Sequence, residues 1–114
     1  MHKDPLEYLR HICDECVYIL NAVHSDLTYD QFVADETLKR AVVRSLEIIG
    51  EATKKIPSDF KMRWDTVQWK HMAGMRDRLI HDYMGVNYII VWDVVRNKIP
   101  ALLDQINAVI VREQ

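Results

Sequence analysis

NYIIVWDVVRNKIPALLDQINAVIVR, residues 87–112, decides the fold class. Within it Tyr88, Trp92, Val95, Ile99, Leu102, Ile106 and Val109 are separated by 4, 3, 4, 3, 4 and 3 positions. That spacing lines one face of an α-helix and calls for a partner helix against it. Asn87 is a natural N-cap, so the pattern predicts one long helix from there to about Arg112. Pro100 falls inside it and is expected to bend it by removing one backbone bond. A further apolar line, Val91, Val94, Leu103 and Ile110, exceeds what one bundle core needs and hints at a homodimer.

Upstream, the same periodicity returns. Asp4 before Pro5, with Glu7 three residues on, marks a helix start, and the helix should run to about Val23. Its apolar stripe, Leu6, Leu9, Cys13, Cys16, Leu20 and Val23, absorbs both cysteines, so the lone Cys-x-x-Cys reads as packing rather than as a redox pair or half a metal site. Thr28 can cap a short turn over Tyr29 to Val33, and Asp35 a longer helix from Glu36 to Lys55 that Pro57 forbids from continuing. After a connection over 57–65 with room for one helical turn, a helix should begin near Asp65 or Thr66. It should end near Tyr83 to Gly85, where the glycine can take the left-handed cap.

The sum is an all-α bundle of four to five helices in a single domain, residues 1–114. Only 3 Gly and 3 Pro among 114 residues leave little for the turns of a β-sandwich. No apolar run approaches the length that spans a bilayer, and the start lacks the core of a secretion signal, so the chain reads as soluble and cytoplasmic. The net charge of −2 argues against a non-specific nucleic-acid coat. Its distribution says more: residues 1–36 are acidic on balance and residues 37–82 basic, so a phosphate-bearing ligand would be drawn to the middle of the chain.

The middle also holds the chemistry. Between Trp69 and Val86 the chain concentrates Arg76, Asp77, His81, Asp82 and Tyr83. An arginine can hold a phosphate bidentately, and a histidine moves protons near neutral pH. Asp77, four residues before His81, would share its helical face and could orient the imidazole. These are the parts for cutting RNA without a metal: a base for the ribose 2′-hydroxyl, an acid for the leaving 5′-oxygen and a cation for the charged phosphorane. On one ideal helix, however, His81 lies about 140° around from Arg76 while Tyr83 is nearly eclipsed with it. Either the helix loosens after Leu79, or two copies pool their side chains across a dimer axis. Glu47 and Glu51 could read as paired carboxylates, but ion pairs with Arg44 or Lys55 are the simpler reading, and Glu51 could brace Arg76 from a neighbouring helix. Trp64, Trp69 and Trp92 read as core or interface anchors. His71 is too far from His81 for shared metal ligation.

Arg76, His81 and Tyr83, spaced Arg, four residues, His, one residue, Tyr, resemble the signature of the HEPN ribonucleases. The flanks, Arg44 to Ala52, Met72 to Asp77, His81 to Val86, Val91-Trp92 and Lys98-Ile99-Pro100, resemble the HepT-like toxin branch over nearly the whole chain. The resemblance implies a HEPN-type helical homodimer whose two signatures line one cleft. It would act as a metal-independent, cofactor-free endoribonuclease on RNA such as tRNA or mRNA. It also implies a type VII toxin–antitoxin pair, in which a minimal, MntA-like nucleotidyltransferase antitoxin silences the toxin by transferring AMP to the motif tyrosine. Residue by residue, Arg76 and His81 would be catalytic and Tyr83 the modification site and a substrate contact; Asp77 and Glu51 are orienting candidates from the reading of the residues alone. Relatives often carry Asn where Asp77 stands, so this chain adds a negative charge beside the phosphate site. The residues alone leave a second class open: a non-catalytic helical module that holds a nucleotide or docks a nucleotidyltransferase.

Overall fold

The computed structural model describes residues 4–81 and 85–114. The Asp4 carboxylate accepts from the Leu6 amide at 2.9 Å and Pro5 takes the first helical position, which starts α1 (Pro5–Ala22). Its deepest line is Leu9, Ile12, Cys16 and Ile19, all fully buried, with Leu6, Cys13 and Leu20 packed at its margin. Burial is the main force pushing the Cys13 thiol up to about 11 and the Cys16 thiol to about 12, so both are protonated packing groups at neutral pH.

In α2 (Tyr29–Ala34) the Thr28 hydroxyl accepts from the Gln31 amide and the Gln31 side chain accepts from the Thr28 amide, a reciprocal capping box. Asp35 caps α3 (Glu36–Lys55), whose bounds are those expected from sequence. After Pro57 comes the short α4 (Ser58–Arg63).

From residue 65 to residue 85 the structure departs from the single helix expected there. Residues 64–68 stay in a turn with Val67 buried, because the Trp69 indole N–H donates to the carbonyls of Lys61 (3.1 Å) and Trp64 (2.9 Å) and ties the connection down. Two five-residue helices follow, α5 (Trp69–Ala73) and α6 (Met75–Leu79), separated by Gly74. The chain then leaves the helix for β1 (Ile80–His81), which pairs antiparallel with β2 (Gly85–Val86) in the register Ile80 to Val86 and His81 to Gly85. The Asn87 amide donates to the Leu79 carbonyl at 2.8 Å and extends this pairing. Gly85 has φ +110°, the backbone freedom expected of it, but uses it to open β2 rather than to cap a helix.

The last helix is two. Asn87 caps α7 (Tyr88–Asn97) through the Ile89 and Ile90 amides, and α8 (Ile99–Glu113) begins afresh with Pro100 in its first turn. There the missing N–H costs nothing, so the proline marks a break between helices instead of a bend within one. The seam still faces inward: Val95, Ile99, Leu102, Ile106 and Val109 are buried, and Tyr88 and Trp92 pack around Phe32. Val91, Val94 and Ile110 are buried within this same chain and Leu103 is half-buried, so that line leaves no surplus apolar surface for a dimer.

α1 packs on α3 and α8, α3 on α5 and α6, and α7 on α6 and α8. The fold is mostly helical, in keeping with the all-α class; among the described residues the two-residue strands are the exception. Trp64 donates to Glu113 at 2.7 Å and joins the end of α4 to that of α8, so it and Trp69 act as anchors. The consequence for function is that α6 is held by α3 on one side and α7 on the other, with the strand pair after it joined to the start of α7 through the Leu79–Asn87 bond.

Candidate active site

α6 has only five residues, too few to be stable as a helix by itself. It is held because Met75 and Leu79, four residues apart and therefore on one face, are buried in the core. That leaves Arg76, Asp77 and Arg78 on the outer surface. Arg76 leans toward α3, where its Nε lies 3.5 Å from Glu47 Oε2. The Glu47 side chain is 22% exposed and that of Arg76 54%, so the carboxylate is the fixed partner and the guanidinium the accessible one. Pairing through Nε leaves the two terminal nitrogens, which can grip a phosphate, outside the contact with Glu47.

The approach of α3 to this segment depends on Gly50. A Cβ built there would lie 3.2 Å from the Met72 carbonyl oxygen and 3.5 Å from that of Ala73, so the end of α5 rests against the α3 backbone. Gly50 is three residues beyond Glu47, and the same close approach sets the distance from Glu47 to Arg76. Arg44 completes the network, with Nη1 3.5 Å from Glu51 and 4.0 Å from Glu47. The brace expected from Glu51 is therefore supplied by Glu47, while Glu51 pairs with Arg44. Both carboxylates belong to an ion-pair network, and among the described residues no three His, Cys, Asp or Glu side chains cluster as a metal would need.

Asp77 is 76% exposed and stands 4.0 Å from Arg76 Nη1, the outer limit of an ion pair. The helical relation expected to bring it onto the face of His81 lapses, because His81 lies on β1. His81 is described through its backbone, paired with Gly85. Tyr83 lies outside the described residues, with Asp82 and Met84. The helix does loosen after Leu79, as the first of the two ways past the 140° obstacle requires, so Arg76 and His81 stand on different elements separated by less than two helical turns of sequence.

The sequence profile of the family described as "Ribonuclease HepT-like" matches residues 6–109, which include Arg44, Glu47, Gly50, Arg76 and the hairpin. The chain belongs to the HepT-like ribonuclease family. It is 46% identical over 112 residues to a protein of Caldanaerobacter subterraneus subsp. tengcongensis named "Putative RNase", covering 98% of this chain and 99% of that one. A Methanocaldococcus jannaschii protein named in the same way is 44% identical over 108 residues, covering 95% of this chain and 88% of its own. A third relative, "Probable ribonuclease HepT" of Thermococcus cleftensis, is 41% identical over 101 residues, with 89% of this chain and 88% of the relative covered. No solved structure matches this chain.

Within this HepT-like fold, the group that sequence reasoning missed is Glu47. Its signal was present: Arg44, Glu47 and Glu51 share one face of α3, and Gly50 on that helix is a residue that permits close approach. What could not be read was which of the two carboxylates meets Arg76, since that depends on how α6 is rotated against α3.

Proposed function

We propose that this HepT-like chain is an RNA-cleaving toxin, a metal-independent endoribonuclease in which Arg76 and His81 are the catalytic groups. The 2′-oxygen of ribose attacks the neighbouring phosphorus as its proton passes to a base. The 5′-oxygen leaves with a proton from an acid, and the phosphate closes into a 2′,3′-cyclic ester. An imidazole with an ordinary pKa near 6.5 suits both proton transfers, and a guanidinium suits the charge that accumulates on the phosphorane. The observation that carries the reading is Arg76 itself: anchored by Glu47 through Nε, half-exposed, and carried on the short helix immediately ahead of the strand that bears His81, in a chain of a ribonuclease family.

The remaining parts come with the family resemblance. Two copies would pair so that their signatures share one cleft. A minimal nucleotidyltransferase antitoxin would silence the toxin by joining AMP to the Tyr83 hydroxyl, which adds a negative charge and a bulky group beside the phosphate site. The test is incubation of the unmodified protein with total RNA and purified tRNA in EDTA, beside His81→Ala and Arg76→Ala, with the mass of Tyr83 measured beforehand. Cutting by the parent alone supports the reading. No cutting by a parent whose Tyr83 is unmodified replaces it with a non-catalytic nucleotide-binding or partner-docking module.

A further inference from the structure

A cleft of about 410 Å³ opens between α5 and α6 on one side and α7 and α8 on the other. It lies along the flank of α6 turned away from Glu47: Arg78, two residues after Arg76 and so about 200° around the helix, is on its rim. Met72, Met75, Val94 and Leu102 make an apolar floor, all buried. Arg78, Lys98 and His71, all exposed, make the rim.

The charge of this cleft is out of keeping with the chain. Acidic residues outnumber basic ones 17 to 15 in the sequence, yet among the described residues no carboxylate lines the cleft. Among the described residues, no carboxylate pairs with Arg78 or Lys98, although Arg40, Arg44, Arg63 and Arg76 all have partners. An apolar slot edged by cations that no described carboxylate neutralises suits a ligand with a flat unsaturated body and an anionic group. That description is met by a nucleotide. Thioethers are favourable neighbours for an aromatic ring, the phosphate would take Arg78 and Lys98, and the side-chain amides of Gln68 and Gln105 offer both donors and acceptors to a base edge, while Asn97, whose Nδ2 donates to Asp93, adds an acceptor oxygen.

A second, more open depression shares Gln68 and His71 with the first and adds Lys61 and Lys70, with Asp65 as its carboxylate. The basic lining therefore continues beyond the room of one nucleotide, which favours a strand over a free mononucleotide. We propose that this cleft is an RNA-binding subsite that grips the substrate strand beside the cleaved bond. It rests on the ribonuclease reading for the word substrate, and on the cleft alone for the binding of RNA. Because Arg76 and Arg78 share α6, a strand seated in the cleft crosses that short helix to reach Arg76.

The test has two arms. Binding of a fluorescein-labelled, 2′-O-methylated oligoribonucleotide, which cannot be cut, is followed by anisotropy across a salt series for the parent and for Arg78→Gln/Lys98→Gln. Cleavage of the unmodified RNA is followed for the same proteins. Arg40→Gln/Lys54→Gln, with the same charge change away from the cleft, is the control, and Ala101→Trp, which fills the cleft from an exposed position, is a second probe. The expected result is an affinity loss of about tenfold or more for both cleft variants. The salt slope should fall by about 1.4 for the double variant, at roughly 0.7 per phosphate contact on a single strand. Its KM should rise with kcat nearly unchanged, and the control should match the parent. Parent-like binding and salt slope in the cleft variants, or an equal loss in the control, overturns the subsite and leaves the ribonuclease reading standing. AMP that binds as tightly as the oligonucleotide, and loses as much in the cleft variants, overturns the assignment to a strand. Cleft-dependent binding without cleavage by any protein upholds the RNA site and removes the ribonuclease reading instead.

Discussion

Replacing Glu47 by Gln should lower the turnover of RNA about fivefold without raising KM. At the 3.5 Å that separates Arg76 Nε from Glu47 Oε2, two unit charges attract by about 1 kcal/mol in a water-like dielectric and about 5 kcal/mol at an effective value of 20. The arginine is more than half exposed, so the lower figure applies, close to the upper end for measured surface pairs. About 1 kcal/mol of lost orientation at a group proposed to stabilise the phosphorane is about fivefold in rate. Glutamine keeps an oxygen that can accept from Nε, and Glu51 keeps Arg44 in place, so the fold should be unaffected. KM should hold or fall, since a carboxylate that competes with the substrate phosphate for Arg76 has gone. Steady-state cleavage of a defined RNA by the parent, Glu47→Gln, Arg76→Ala and the double variant measures the coupling. The carboxylate should matter little once Arg76 is removed. Glu47→Gln with parental kcat, or with the same fractional loss whether Arg76 is present or absent, would refute a positioning role for Glu47.

Gly50→Ala should destabilise the protein by about 1 kcal/mol, although alanine is the better helix former, because the new methyl meets the Met72 carbonyl at 3.2 Å and a backbone oxygen cannot rotate away; Gly50→Val should cost more, and urea midpoints give the order. Arg96→Ala should cost about 2 kcal/mol, since Arg96 Nη2 donates to the carbonyls of His24 (2.7 Å) and Leu27 (2.6 Å) and its guanidinium stacks 4.4 Å from the Trp92 ring centre. Arg96→Lys should restore it only in part, because an ammonium can donate to both carbonyls as Nη2 does but has no planar guanidinium to lay over Trp92. Cys13 and Cys16 ionise at higher pH in the folded chain than in the unfolded one, where a thiol titrates near 8.5. The sign follows: their contribution to stability is intact below about pH 8.5 and is lost as pH rises toward about 11 and about 12. Denaturation midpoints between pH 8 and 10.5 should fall less for Cys13→Ala/Cys16→Ala than for the parent, and in the folded parent iodoacetamide at pH 8 should leave Cys16 unlabelled.

Where local chemistry decides the structure, the sequence is a sufficient guide. The caps at Asp4, Thr28, Asp35 and Asn87 are each made within three residues of the helix that they begin, and the helices behind them start where those residues predict. The stretch from 65 to 85 failed as one helix because its elements are set by distant partners. Trp69 is held by the carbonyls of Lys61 and Trp64, α5 lies against Gly50, and α6 is fixed by two buried side chains. None of these contacts has a period that a sequence window can register. Pro100 was legible as a disturbance but not as a boundary, because a proline fits the first turn of a new helix as readily as it distorts an old one. Arg76 was legible as a candidate from its spacing to His81, whereas its partner was not, since Glu47 and Glu51 differ by one turn on the same helix.

The break at Leu79 bears on the chemistry as well as on the prediction. Had α6 continued to Tyr83, Arg76 and His81 would have kept the fixed angle of one helix and a single copy could not have aimed both at one phosphorus. By ending α6 at Leu79 and reversing the chain through a hairpin, the fold frees the histidine from helical phase while keeping its backbone paired to Gly85 and, through the Leu79 to Asn87 bond, tied to the cap of α7. The arginine takes its position from α3, through Glu47 and the Gly50 contact; the histidine takes its backbone position from α7, through the hairpin. Two short elements, neither stable alone, are thus placed by two long helices, and a substitution that shifts α3 against α7 should move the two groups apart without touching either one.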